Sequence, residues 1–146
     1  MKRSFVLGMA VFATMLMGST TALAANAHVI GSPSVTLSGN SLTFSASVAG
    51  LGNVASAEFS LEGTASVSSR CYTRSGNTPQ AANKQETINV DQTETFAVRN
   101  GRTNATFSVS PLSTLTCPGG QRVVIESITY DLDLVYMGDV LYSFTS

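Results

Sequence analysis

Tryptophan is absent from the 146 residues, histidine occurs once and cysteine twice. A metal or cofactor site that gathers several soft ligands from one chain is thereby excluded. Charge is scarce as well, with eight Lys and Arg against nine Asp and Glu. Two of the cations, Lys2 and Arg3, stand at the very start. The other six, Arg70, Arg74, Lys84, Arg99, Arg102 and Arg122, are scattered, and without the first two the net charge is near −3. Such a chain has no basic stripe for nucleic acid and no polybasic patch for a membrane. The Gly-x-Ser-x-Gly pattern of a serine nucleophile is missing, and the single histidine lies near one end, so the many serines lack a base. No catalytic constellation is present, and no cofactor is implied.

What is there begins with an address. Met1-Lys2-Arg3 is followed by an apolar run of 13 residues, Phe5 to Met17, and then by the small, polar stretch Gly18 to Ala24. This order is that of a secretory signal peptide. The apolar run is short of the roughly 20 residues a membrane-spanning helix needs, and no cysteine follows it to carry a lipid. Cleavage after Ala24 or after Ala27 both satisfy the small-x-small rule, and the first leaves a leader of ordinary length. The expectation is a leader over 1–24 and one domain over 25–146, secreted or periplasmic and not inserted in a membrane.

Thirty-two of the residues from Ala25 onward are Ser or Thr against 15 charged ones. Hydroxyl and β-branched residues suit half-solvated strands, and no apolar spacing of 3.6 runs long enough for a helix. Period-two alternation recurs instead. Leu42, Phe44, Ala46 and Val48 alternate with Thr43, Ser45 and Ser47; Ala57, Phe59 and Leu61 with Glu58 and Ser60; and Ile128, Tyr130, Leu132, Leu134 and Tyr136 with Thr129, Asp131 and Asp133. Asn100-Gly101 between alternating runs is a hairpin signal, because both turn positions take positive φ. Gly63 reads as the end of one strand, and residues 74–85 read as a long polar loop. About eight short strands separated by turn signals predict an all-β antiparallel sandwich, immunoglobulin-like at most because no Trp stands between the cysteines.

Two cysteines in an exported chain have one connectivity, Cys71 to Cys117. Closing a loop of about 46 residues stabilises by roughly 4 kcal/mol on the chain-entropy argument.

Ala49-Gly-Leu-Gly-Asn53, the stretch from Cys71 to Lys84, the Asn100-Gly101 turn and Cys117-Pro-Gly-Gly-Gln121 together resemble a group of small secreted proteins of soil bacteria whose function is uncharacterised. The resemblance implies export, one disulfide and a β fold, and it brings no activity with it.

Three sets of residues are candidates for chemistry. Arg70, Tyr72, Arg74 and Asn77 cluster near the first cysteine, where a tyrosine beside arginine and asparagine can stack on and hydrogen-bond a sugar or an anion. Asp131, Asp133 and Asp139 have only the spacing that alternation produces on any wet strand face, and the calcium-loop pattern is absent. His28 resembles one half of the copper-binding histidine brace of lytic polysaccharide monooxygenases if cleavage falls after Ala27, but the second histidine does not exist. The reading that follows is a non-catalytic binding or structural module whose ligand is a glycan or a protein. Its rival is a self-assembling subunit that adds strands through Val29–Leu37 and Val140–Thr145, and a copper-binding exoprotein stands third.

Overall fold

The computed structural model describes residues 26–146, so the expected leader over 1–24 lies outside the described residues. Seven strands follow in order: β1 (His28–Ser38), β2 (Ser41–Ala49), β3 (Ser56–Thr73), β4 (Pro79–Ala97), β5 (Thr103–Val109), β6 (Gln121–Tyr136) and β7 (Asp139–Thr145). They form two antiparallel sheets, β1-β2-β5 and β4-β3-β6-β7. The expected antiparallel sandwich is what the chain forms, with seven strands in place of about eight. Three of them are long, at 18, 19 and 16 residues.

The alternating runs meet in one core. Leu42, Phe44, Ala46 and Val48 of β2 face Ala57, Phe59, Leu61 and Val67 of β3 and Leu132, Leu134 and Tyr136 of β6. Phe44 joins the sheets, its ring edge-on to Tyr130 and to Phe144 at 5.4 and 5.2 Å. At the opposite side Phe96 meets Phe107 edge-on at 5.5 Å. Full burial of Phe44, Phe107 and Phe144 contributes about 1.5–3 kcal/mol each.

Gly63 does not end a strand. It sits in the middle of β3 at φ +142°, paired with Leu132 of β6. A Cβ there would fall 2.1 Å from the Asp131 carbonyl oxygen, so glycine allows β3 and β6 to approach and the strand to continue. The long loop expected over 74–85 shrinks in the same way to a short turn, because β4 begins at Pro79, opposite Tyr72, and after an irregularity over Gln80, Ala81 and Ala82 pairs with β3 residue by residue from Asn83 to Ala97. The first half of β4 is polar on both faces, since it is an edge strand lying beyond the reach of the seven-residue β5.

Asn100 and Gly101 take φ of 51° and 70°, and Arg99 bridges Arg102 across them. The turn is the expected one, yet the strands it joins belong to different sheets. It carries the chain across the sandwich from β4 to β5.

The disulfide joins Cys71, fully buried near the end of β3, to Cys117 in the β5–β6 loop, with Cα atoms 5.7 Å apart. That loop is tied down at two further points. Asn40, in the β1–β2 turn, donates its amide to the Ser113 carbonyl and accepts from the Ser113 N–H. Glu86 of β4 accepts from the Ser113 hydroxyl at 2.9 Å, the Thr114 N–H at 2.9 Å and the Thr114 hydroxyl at 2.5 Å. The buried Ser69 hydroxyl, 2.6 Å from that of Ser113, completes the attachment. A loop of ten or more residues without secondary structure is thus fixed to β3, β4 and the β1–β2 turn.

Candidate functional site

Successive residues of a strand point to opposite faces, so β3 buries Ser69 and Cys71 while turning Arg70 and Tyr72 outward. On β6 the register with β3 slips between Ser127 and Ile125, leaving Glu126 as an extra residue in a bulge. The bulge swings Glu126 toward the same patch. Its Oε1 lies 3.0 Å from Arg70 Nε and accepts the Tyr72 hydroxyl at 2.9 Å. Arg70 Nη1 also donates to the Gln80 carbonyl at 3.3 Å. The Glu126 bond, followed by partial burial and the carboxylate's charge, raises the Tyr72 phenol above its ordinary 10.

Of the four residues singled out near the first cysteine, two therefore share Glu126, Tyr72 through a hydrogen bond and Arg70 through an ion pair. Asn77 lies in the turn after β3 at φ 49° and accepts from the Arg122 guanidinium. Arg74 is exposed and contributes its backbone N–H to the Gly120 carbonyl. Glu126 and Arg122 were not legible as partners, because a bulge and a cross-strand register carry no local sequence pattern.

The outer face of the four-stranded sheet continues from this cluster as a strip of small polar side chains. Ser68 is opposite Gln85 and Ser127, and Ser66 is opposite Thr87 and Thr129. These six residues line a shallow groove of about 330 Å³. A second groove of about 220 Å³ shares Ser66 and Thr129 and runs on to Thr64 and Asp131. Beyond it Asp91, Glu62 and Asp133 fall in one cross-strand row, with Asp133 accepting from the Ser143 hydroxyl. One face thus presents, in sequence, a tyrosine, an Arg–Glu pair, a field of hydroxyls and amides, and carboxylate acceptors. Of the cations near it, Arg70 pairs with Glu126 and Lys84 with Glu86 at 3.1 Å, while Arg122 donates to the neutral Asn77 and keeps its charge.

His28 is the first residue of β1, paired with Ala49, and its Nδ1 is 2.6 Å from the Asn26 carbonyl oxygen. Asp139 closes the β6–β7 turn opposite Tyr136, on the far side of the strip's end. Among the described residues no group of three or more His, Cys, Asp or Glu side chains is placed to hold a metal ion, and no helix is long and apolar enough to cross a membrane. No protein-family model matches the chain, and a search of the curated proteins returns no match.

Proposed function

We propose that the protein is an exported, non-catalytic binding module that takes an extended, neutral glycan on the outer face of its four-stranded sheet. The observation that carries this reading is the pair of grooves sharing Ser66 and Thr129, which make one elongated strip lined by hydroxyl, amide and carboxylate groups. Such groups exchange hydrogen bonds with sugar hydroxyls as both donors and acceptors, and Tyr72 at one end supplies an apolar ring face for a pyranose. Neutrality follows from charge. Arg70 and Lys84 are already paired with carboxylates, and the acidic row repels a polyanion. A disulfide indicates an oxidising compartment, and the leader-like first 24 residues agree with export.

The test is affinity electrophoresis or pull-down against neutral and acidic polysaccharides. Tyr72→Ala weakens binding to the neutral ligand about tenfold, the worth of one stacked ring. Ser66→Glu, which fills the strip where the grooves join, abolishes it. Circular dichroism confirms that both variants fold. Retention by acidic polymers alone, or binding unaltered in both variants, overturns the reading.

A further inference from the structure

Charge is divided unevenly between the two sheets. All nine Asp and Glu residues of the chain lie on β3, β4, β6 and β7, the strands of the larger sheet. The strands β1, β2 and β5 of the smaller sheet contain no Asp, Glu, Lys or Arg. Two charges of one sign, Arg99 and Arg102, stand at the entry to β5.

These two arginines exchange backbone hydrogen bonds of 2.9 and 3.0 Å, so they are directly opposite one another with their side chains on one face. Like charges set opposite in this way repel. Among the described residues the ion pairs are Arg70–Glu126 and Lys84–Glu86, and neither Arg99 nor Arg102 donates a side-chain hydrogen bond. The backbone beneath them is fixed. The Leu51 N–H donates to the Gly101 carbonyl at 3.1 Å, the Val98 N–H to the Ala55 carbonyl at 2.9 Å, and the Thr103 hydroxyl to the Ala97 carbonyl at 2.8 Å. Two repelling cations are thus brought together by the framework that carries them.

They open onto a groove of about 370 Å³ lined also by Ile30, Ser47, Thr103 and Asn104. Ile30, Ser47 and Asn104 form one cross-strand row over β1, β2 and β5. Ser47 donates its hydroxyl to Asn104 Oδ1 at 2.6 Å. That bond uses the amide's oxygen and leaves its two N–H donors without a partner among the described residues. The groove therefore presents two guanidinium forks and an amide donor, one apolar side chain in Ile30, and no carboxylate.

We propose that this groove binds the phosphate group of an organic phosphate monoester. Charge selects the group. A phosphate monoester carries about −1.5 to −2 at pH 7, enough to neutralise both guanidiniums and remove their repulsion, whereas a carboxylate or a sulfate ester brings a single charge. The planar guanidinium fork also matches phosphate oxygens in bidentate contact. Ile30 selects the ester over the free ion, because it gives the attached carbon skeleton an apolar contact. The groove belongs to the smaller sheet, so it is separate from the glycan strip and does not depend on it.

Calorimetric titration of the purified protein near pH 7 with glucose 1-phosphate, inorganic phosphate and glucuronate tests this. Glucose 1-phosphate is expected to bind most tightly, inorganic phosphate several-fold more weakly, and glucuronate, with its one carboxylate, about tenfold more weakly than the ester. Arg99→Gln and Arg102→Gln each weaken binding of glucose 1-phosphate about tenfold, the worth of one charge-assisted contact. Arg74→Gln makes the same change in net charge at an exposed arginine outside the groove and leaves the affinity unchanged. Both groove arginines are exposed, so the variants fold, and relief of the repulsion keeps the ligand-free melting temperature at or above that of the parent. Saturating glucose 1-phosphate raises the melting temperature of the parent and not of the double variant. No binding of the three probes, inorganic phosphate or glucuronate bound as tightly as the ester, an equal loss in Arg74→Gln, or a ligand-free melting temperature that falls in Arg99→Gln each overturns the proposal.

Discussion

Glu86 and Thr114 are joined by two hydrogen bonds, one from the Thr114 hydroxyl and one from its backbone N–H, each to a different carboxylate oxygen. The hydroxyl bond, then the backbone bond, with smaller help from Ser113 and Lys84, holds the Glu86 carboxyl at about 2, below its ordinary 4.5, against an opposing effect of burial. A carboxyl whose folded value is depressed binds protons more readily in the unfolded chain, so its contribution to stability is complete above pH 4.5 and is lost as pH falls toward 2. The melting temperature is expected to decline through that window. Glu86→Gln removes the ionised acceptor, lowers the melting temperature at neutral pH and flattens the decline between pH 4.5 and 2. Calorimetry of the two proteins across that range checks it, and parallel slopes place the acid sensitivity elsewhere.

Gly63 and Asp131 define a second point where substitution is costly. The strand conformation at φ +142° is closed to residues with a Cβ, and an added methyl would overlap the Asp131 carbonyl oxygen. Gly63→Ala is expected to destabilise by about 1–3 kcal/mol, the range for a backbone forced out of a glycine-only conformation. Urea unfolding measures it. A loss below about 0.5 kcal/mol, the scale of an ordinary surface change, shows that β3 and β6 separate there at no cost.

That glycine also marks where sequence reading stopped short. The inward positions of β2 and β6 and the pairing of Cys71 with Cys117 were legible because period two and a single possible connectivity are local or combinatorial facts. Gly63 has the same identity whether it ends a strand or lets two strands touch, and only the position of Asp131 decides. Residues 79–85, which the structure places in β4, read as loop because this stretch of edge strand has no apolar buried face to impose alternation. Asn100 and Gly101 announced their turn and not that Ala97 and Thr103 lie in different sheets. Between β6 and β7 the register slips from Leu134–Tyr142 to Val135–Val140, leaving Leu141 as an extra residue and turning Val140 outward, and no composition signal accompanies the slip. Of the candidate site, Arg70 and Tyr72 were legible as a pair on one face, while Glu126 joins them only through its bulge.

The disulfide fastens the β5–β6 loop to β3 across a separation of 46 residues. Reduction lengthens the conformational freedom of the unfolded chain most, since the closed loop is a large share of the domain. Reduced protein is expected to unfold at lower denaturant, with a loss of about 2–4 kcal/mol and a nearly unchanged fold below the transition. The Glu86 and Asn40 attachments hold the loop in the reduced state, so protection of the Leu112 amide, which donates to the Asn40 carbonyl, persists after reduction. Exchange of that amide at the rate of an unfolded segment would show that the bond, and not the side-chain attachments, positions the loop.

Tyr72 reports on Glu126 directly. Ionising the phenol breaks its bond to the carboxylate and sets two anions against each other, which is why it titrates above 10. A raised folded value means that this contact stabilises the fold below pH 10 and is lost as pH rises through the folded value. Glu126→Gln keeps the side chain's size and removes its charge, so the tyrosine is expected to titrate lower, back toward 10. Tyr72→Phe identifies the signal by deleting it from the alkaline ultraviolet titration. The same substitution separates the roles of ring and hydroxyl in the proposed glycan strip. With the hydroxyl already committed to Glu126, Tyr72→Phe retains most of the binding that Tyr72→Ala loses. Equal losses in both variants would mean that the hydroxyl leaves Glu126 for the ligand, and the tyrosine titration in the presence of saturating glycan would then fall.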